Sequence, residues 1–399
     1  VKLVKQRLTV LKELGLGYLT LGEETPSLSG GEAQRLKLAS EMGKLQNDSL
    51  FIFDEPTSGL DPVARDELLE LFHSLVQEGT RSSLFSTHIT SDLDKCADDI
   101  TYIQSGKILL SAEKNQFILK NTMSIQAAID ACSEGGKVVI PSGIFMSGAL
   151  YLKSNMTLEL EKGAVLFGSP NADHYDSNYL LYPYSTDTRS WALINAYSSD
   201  ENGMLENIRI TGDGIIDGNG WKYGKSGNIE GDGYSIFYQS RQDGDPKDNN
   251  YRLPQWVSGS SSKLYNTPLE SSLGILAADA TLKAKENGMS EKVAYNNRPN
   301  LIVIRGTENV YIGDITVRNP AFHTVAVLDS KNVTSNNVKY TTYDSNNADG
   351  IELGNTQNAV VFNNFFDTGD DSINFATGMG KGVQDCEQRP SQNIWTFNN

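Results

Sequence analysis

The hydrophobic positions change their spacing near residue 120. Before it, apolar residues fall at helical intervals broken by short, wholly apolar runs. Leu8, Leu11, Leu14 and Leu16 begin one helical pattern, and Leu36, Leu38 and Met42 continue another after a Ser-Gly-Gly turn. Across residues 65–77, Leu68, Leu69, Phe72, Leu75 and Val76 recur on one side. Residues 50–53, 83–86 and 100–103 read as short strands. Strand–helix–strand order predicts a parallel α/β sheet.

After one more helical segment at residues 125–132, the helical period gives way to short β-rich pieces punctuated by Asn and Gly. Asn309-Val-Tyr-Ile-Gly is echoed from Asn332 and again from Asn358, at spacings of 23 and 26 residues. Asn393 opens another copy, and Asn155 and Asn207 head earlier relatives. A repeat of this length, built from strands and tight turns without intervening helices, predicts a parallel β-helix, in which each coil buries its apolar face against the next. Residues 221–297 interrupt the repeat with Gly, Ser, Asp and Asn around Trp221, Tyr223, Phe237, Tyr238 and Trp256. They read as a loop insertion, either plain surface or the wall of a cleft with rings for stacking on sugars.

Composition narrows the function. Of 399 residues 38% are hydrophobic and 21% charged, which suits a globular chain. No apolar run reaches the ~20 residues of a membrane-spanning helix. A net charge of −16 argues against nucleic acid as partner of the whole surface. Cys96, Cys132 and Cys386 are too scattered for a disulfide framework or a zinc site. The chain starts at Val1 with no charged-then-apolar leader, so as written it reads as cytoplasmic and as lacking its natural start, with the true location open.

Ordered motifs mark the first part. Ser29, Gly30 and Gly31 precede a helix and suit an anion such as a nucleotide γ-phosphate. The apolar strand at 50–53 ends in Asp54, placed to hold Mg²⁺, and Glu55, placed to polarise water. Ser58-Gly59-Leu60-Asp61 follows as a turn, and His88 ends the next strand. This set resembles the signature, Walker B, D-loop and switch histidine of ABC-type ATPases. Its lead-in is similar to the ATPase component of bacterial excinuclease, and residues 83–106 are more similar to the ATPase of an ABC exporter. ATP and Mg²⁺ are implied by these motifs alone. No Gly-rich loop with its Lys precedes the signature, so hydrolysis of ATP by this chain by itself is not expected. A partner ATPase supplying that loop would use Ser29, Gly30 and Gly31 in trans.

The second part carries three carboxylates at coil spacing. Asn347-Ala348-Asp349-Gly350 precedes Gly369-Asp370-Asp371-Ser372, with 21 residues from Asp349 to Asp370. Coils ~4.8 Å apart bring such residues to one patch. The alternative is a pair of ordinary turns. Like charges side by side are expected to raise one pKa, the condition for a general acid beside ionised neighbours. Adjacent strand residues face opposite sides, so both aspartates share a face only if the strand bends or ends, a freedom that Gly369 is expected to supply.

These motifs, with Gly135-Gly136, residues 147–158 and 212–220, Arg298-Pro299 and Asn319-Pro320, resemble glycoside hydrolase family 28, the polygalacturonases, over residues 121–399. The resemblance implies a right-handed parallel β-helix of the pectin-lyase type and inverting hydrolysis of α-1,4-galacturonan without a cofactor. It assigns Asp370 as acid and Asp349 and Asp371 to the base side. His323 and Arg298 are candidate substrate contacts, His323 alternatively a packed core histidine. Ala348 replaces the family's Thr. The family's Gly-His-Gly and Arg-x-Lys motifs do not occur and are expected beyond Asn399, so low activity is expected.

The sequence therefore predicts a mainly β protein, a parallel β-helix at 121–399 preceded by a partial α/β ABC ATPase subdomain at 1–120. Its expected partner is a pectic polysaccharide or oligogalacturonide. The alternatives are an ATPase fragment with a β-helix binding module, or an unnatural fusion.

Overall fold

The computed structural model describes residues 8–9, 11–12, 16–17, 20, 36, 49–57, 68–69, 72, 81–87, 96–104, 107–175, 177–179, 189–198, 203–220, 276–290, 293–294, 297–342, 345, 347–375 and 390–399. It divides into two compact units, Val1–Lys114 and Asn115–Asn399.

In the first unit, Ser49–Asp54 pairs in parallel with Arg81–Ser86, as strand–helix–strand order predicts. Phe72 lies on the intervening helical stretch and stacks on Phe53 with ring centroids 4.7 Å apart, and on Phe85 at 5.9 Å. The third strand departs from expectation. Asp99–Gln104 pairs antiparallel with Lys107–Glu113 rather than joining a parallel sheet. Only residues 105 and 106 separate these strands, and a parallel crossover needs a dozen residues or more, so the short link dictates a hairpin.

Helix Lys114–Ala131, all but its first residue in the second unit, starts earlier than the sequence pattern. Its Gln126 side chain accepts from Tyr151 N (2.8 Å) and donates to Tyr151 O (3.0 Å). The helix thereby takes the place of a neighbouring strand at the exposed edge of the first coil.

Three parallel sheets of six, seven and six strands then form a right-handed parallel β-helix. The seven-stranded sheet explains the Asn repeats. Val310 pairs with Val333 and Val333 with Ala359, reproducing the 23- and 26-residue spacings. Asn155, Asn207, Asn309, Asn332, Asn358 and Asn393 all have φ between 55° and 60°. Asn tolerates this left-handed geometry better than other residues with a β-carbon. Their side chains form one ladder along the stack, each amide donating to the Asn of the coil before: Asn207 to Asn155, Asn309 to Asn207, Asn332 to Asn309, Asn358 to Asn332 and Asn393 to Asn358. Asn332→Ala is expected to cost about 1–2 kcal/mol from left-handed strain alone, plus the lost ladder bonds. Asn332→Gly should recover the strain and leave only the latter. Urea midpoints at constant m value measure both.

Inside the coils, Leu158, Ile210 and Ile312 stack as fully buried side chains in register, and buried Ser335 and Val361 continue the column. The region expected to be a loop insertion contains, at its end, the helix Leu276–Glu286. Its Leu276, Ala277, Ala280, Thr281 and Ala284 are buried. Asp279 accepts from Ala172 N at 2.7 Å, and Lys283 pairs with Asp173 at 2.8 Å. An Ala-rich stretch of high helix propensity docks on the coil there rather than looping past it. Residues 221–275 of the insertion lie outside the described residues.

Among the described residues, no helix is long and apolar enough to cross a membrane.

Candidate active site

One six-stranded sheet carries the site. Its order runs Ile373–Asn374, Ile351–Gly354, Val325–Leu328, Ile302–Arg305, Ile194–Tyr197 and Leu150–Tyr151. Val325 pairs with Ile351 and Ile351 with Ile373. Each site residue stands two positions before one of these: His323, Asp349 and Asp371. The ladder continues into this margin, since Thr324 N donates to Asp349 O (3.0 Å) and Gly350 N to Asp371 O (2.8 Å). His323, Asp349 and Asp371 therefore occupy one register column on three successive coils. Asp371, rather than Asp370, is the coil neighbour of Asp349, because the coil repeat here is 22 residues and not 21.

The chain leaves strand geometry at Asp367 and re-enters it at Ile373, so Asp370 and Asp371 lie in the turn between two strands. Gly369 serves this turn differently from expectation. Its φ is outside the left-handed region, but a β-carbon there would collide with the Ser345 carbonyl oxygen and reach that of Thr342 at 3.0 Å. Space, not conformational freedom, is what Gly369 supplies. Gly350 is confined in the same way against the Ser372 carbonyl. Thr368 Oγ1 donates to Asp370 O (2.9 Å) and closes the turn. Ala348, in the place of the family's Thr, is fully buried, and its carbonyl accepts from Thr342 Oγ1 (3.1 Å).

The three carboxylates differ in environment. Asp349 is buried, Asp370 half-buried and Asp371 exposed. Asn374 Nδ2 donates to Asp349 Oδ2 at 2.7 Å. Burial pushes the Asp349 carboxyl above the usual carboxylate range, and Asp370 and Glu352 push the same way. His323 and the Asn374 bond pull it back. The raised group is thus Asp349, with desolvation ahead of like-charge repulsion as its cause.

His323 is buried, with Glu352 Oε2 at 2.9 Å from its Nδ1 and the Asn347 side-chain amide at 2.8 Å from its Nε2. Burial opposes its charged form, but the Glu352 carboxylate and then Asp349 outweigh it, so the imidazole holds its proton above the ordinary histidine range. Arg298 is almost fully buried. It donates to Ala321 O (2.8 Å) and lies 4.7 Å from the centre of the Phe322 ring, which stacks on His323 at 4.1 Å. Arg298 thus packs behind His323, through Phe322. Glu352 is not among the residues that the sequence motifs single out. A lone acid inside the run Ile351-Glu352-Leu353-Gly354 is the one signal the sequence offers for it.

In the first unit, Asp54 stands at a strand tip and its Oδ1 accepts from Ser86 Oγ (2.6 Å). Glu55 has φ 46°, and its amide donates to Ser86 O (3.2 Å). Ser29, Gly30, Gly31 and His88 lie outside the described residues. What is described here is one carboxylate engaged by a hydroxyl and a second beside it. Titration calorimetry of the chain with ATP and Mg²⁺ is expected to give no saturable heat at micromolar concentrations, and a micromolar Kd would contradict this.

Comparison with known proteins agrees with the two-part reading. Residues 247–388 match the family model of Glycosyl hydrolases family 28. The chain is 46% identical over 283 residues to an exo-poly-alpha-D-galacturonosidase of Dickeya chrysanthemi, covering 70% of this chain and 42% of that protein. The solved family 28 exopolygalacturonase of Yersinia enterocolitica is 43% identical, with a TM-score of 0.56 over 73% of this chain and 50% of that one. UvrABC system protein A of Aquifex aeolicus is 41% identical over 96 residues, 24% of this chain and 10% of that protein. The chain thus spans half the length or less of each. Residues 121–399 resemble the family 28 polygalacturonases, and residues 1–120 resemble the C-terminal part of an ABC-type ATPase domain.

Proposed function

We propose that residues 121–399 hydrolyse α-1,4-galacturonan in pectic polymers or oligogalacturonides, with inversion at the sugar carbon and no cofactor. The observation that carries this reading is the register column that stacks Asp349 and Asp371 one coil apart, with Asp370 close enough to act on the charge of Asp349. Asp370 protonates the leaving oxygen. Asp349 and Asp371 stand on the side of the attacking water, and Asp349 takes its proton. Inversion asks for acid and base carboxyls about 6.5–9.5 Å apart, with the water between them. The Dickeya and Yersinia relatives are named for exo cleavage, which supports attack at a chain end.

A second reading rests on the raised proton affinity of Asp349, which exchanges the acid and base roles of Asp349 and Asp370. A substrate with an activated leaving group separates the two, because it restores an acid-deficient variant and not a base-deficient one.

The function is tested by release of reducing ends from polygalacturonate against uncharged 1,4-glycans. Hydrolysis confined to galacturonan is expected. Equal attack on uncharged glycans, or none on galacturonan, overturns the reading.

A further inference from the structure

Glu352 is a carboxylate in the middle of a fully buried strand, and the acid–base roles above do not use it. An unpartnered carboxylate at such a place is strongly unfavourable. Its Oε2 meets His323 Nδ1 at 2.9 Å. The same strand register sets Glu352 beside Ala326 on one side and Asn374 on the other. Asn374 donates to Asp349, and His323 shares the register column of Asp349. Glu352 thus touches the group next to Asp349 and neighbours the residue that fixes it.

We infer that Glu352 and His323 form a positioning dyad, in which the buried carboxylate holds the imidazole in place and cationic beside Asp349, and that charge governs the Asp349 carboxylate during the reaction. The inference rests on the hydrolase reading, in which Asp349 serves the attacking water. His323 donates from both ring nitrogens when charged, so the Asn347 amide, whose Nδ2 lies 2.8 Å from Nε2 here, turns over to present its oxygen to the charged ring.

The groups acting on His323 are Glu352 and Asp349, which favour its charge, and Arg189, which opposes it. Those acting on Asp349 are His323 and Asn374, which favour ionisation, and Asp370 and Glu352, which oppose it. His323 outweighs Glu352 at Asp349, so the net effect of the dyad is to keep the base ionised. A base must be ionised to work, so its protonation sets the acid limb of kcat/KM.

Glu352→Gln preserves shape and removes the charge. His323 then gives up its proton at lower pH, and the acid limb moves upward. Below the limb, kcat/KM is expected to fall about tenfold, while the plateau changes far less. In a His323→Gln background, the same change at Glu352 should no longer raise the limb. Histidine side-chain NMR of the full chain supplies a readout independent of turnover, with His323 titrating lower in E352Q than in the unaltered chain. The dyad is overturned if His323 titrates alike in both, or if E352Q lowers kcat at every pH by one factor. Should E352Q fail to fold, H323Q alone must still raise the acid limb, and an unmoved limb overturns the proposal. If the unaltered chain does not cleave galacturonan, yet the Asp349 carboxyl signal shifts in E352Q, the dyad stands and the hydrolase reading falls.

Discussion

Asp370→Asn is expected to lower kcat on galacturonan by about 10²–10⁴-fold, the range for losing a positioned general acid. Thermal unfolding should stay within a degree or two, because Asp370 is only half-buried and its backbone carbonyl, not its side chain, accepts the Thr368 bond. An aryl galacturonide with a good leaving group needs little protonation and should recover most of the loss. Asp349→Asn should suffer a comparable loss that the same substrate does not repair. If the two variants exchange these behaviours, Asp349 is the acid. If neither loses more than a few-fold, the carboxylates are turn residues and no more.

Gly369→Ala is expected to be the most damaging single methyl in the site. The added carbon meets the carbonyl oxygens of Ser345 and Thr342, both backbone atoms of the preceding coil, so no side chain can swing aside. Overpacking of this kind costs about 1–3 kcal/mol and sometimes more. Relief by shifting the 368–372 turn would displace Asp370 and Asp371 together. Loss of both stability and activity is therefore expected, unlike Asp370→Asn, which should lose activity alone. Denaturant midpoint and kcat measured on the two variants separate these outcomes. A G369A chain of unchanged midpoint would show that the coils give way freely there.

The parts of the fold legible in the sequence are those set by local backbone demand. Asn at each coil start adopts left-handed φ and bonds the Asn before it, so its recurrence marks the coils directly. The apolar run at 50–53 and its parallel partner are equally plain. The hairpin of Asp99–Gln104 with Lys107–Glu113 escapes the pattern because strand order suggests a crossover, where link length decides. The helix Leu276–Glu286 is hidden by the polar composition of the segment before it, although its own Ala and Leu spacing is helical. At the site, the acid motifs are visible as Asp349, Asp370 and Asp371, but a spacing close to one coil leaves open which of the pair lies opposite Asp349. Coil length varies with its turns, so only pairing shows that Asp371 lies opposite Asp349. Glu352 is not visible as a site residue, because its partner His323 lies 29 positions away and meets it only when coils stack.

In the proposed hydrolysis, three aspartates on adjacent coils cleave galacturonan through an ordered water. Proton NMR of the first turnovers on a reduced oligogalacturonide tests it most directly, by reading the anomer released before it equilibrates. The β-anomer, product of single inversion at an α-linkage, is expected from the unaltered chain, and a large loss from D370N. Release of the α-anomer would contradict it, since retention requires carboxyls about 5–5.5 Å apart and a covalent intermediate.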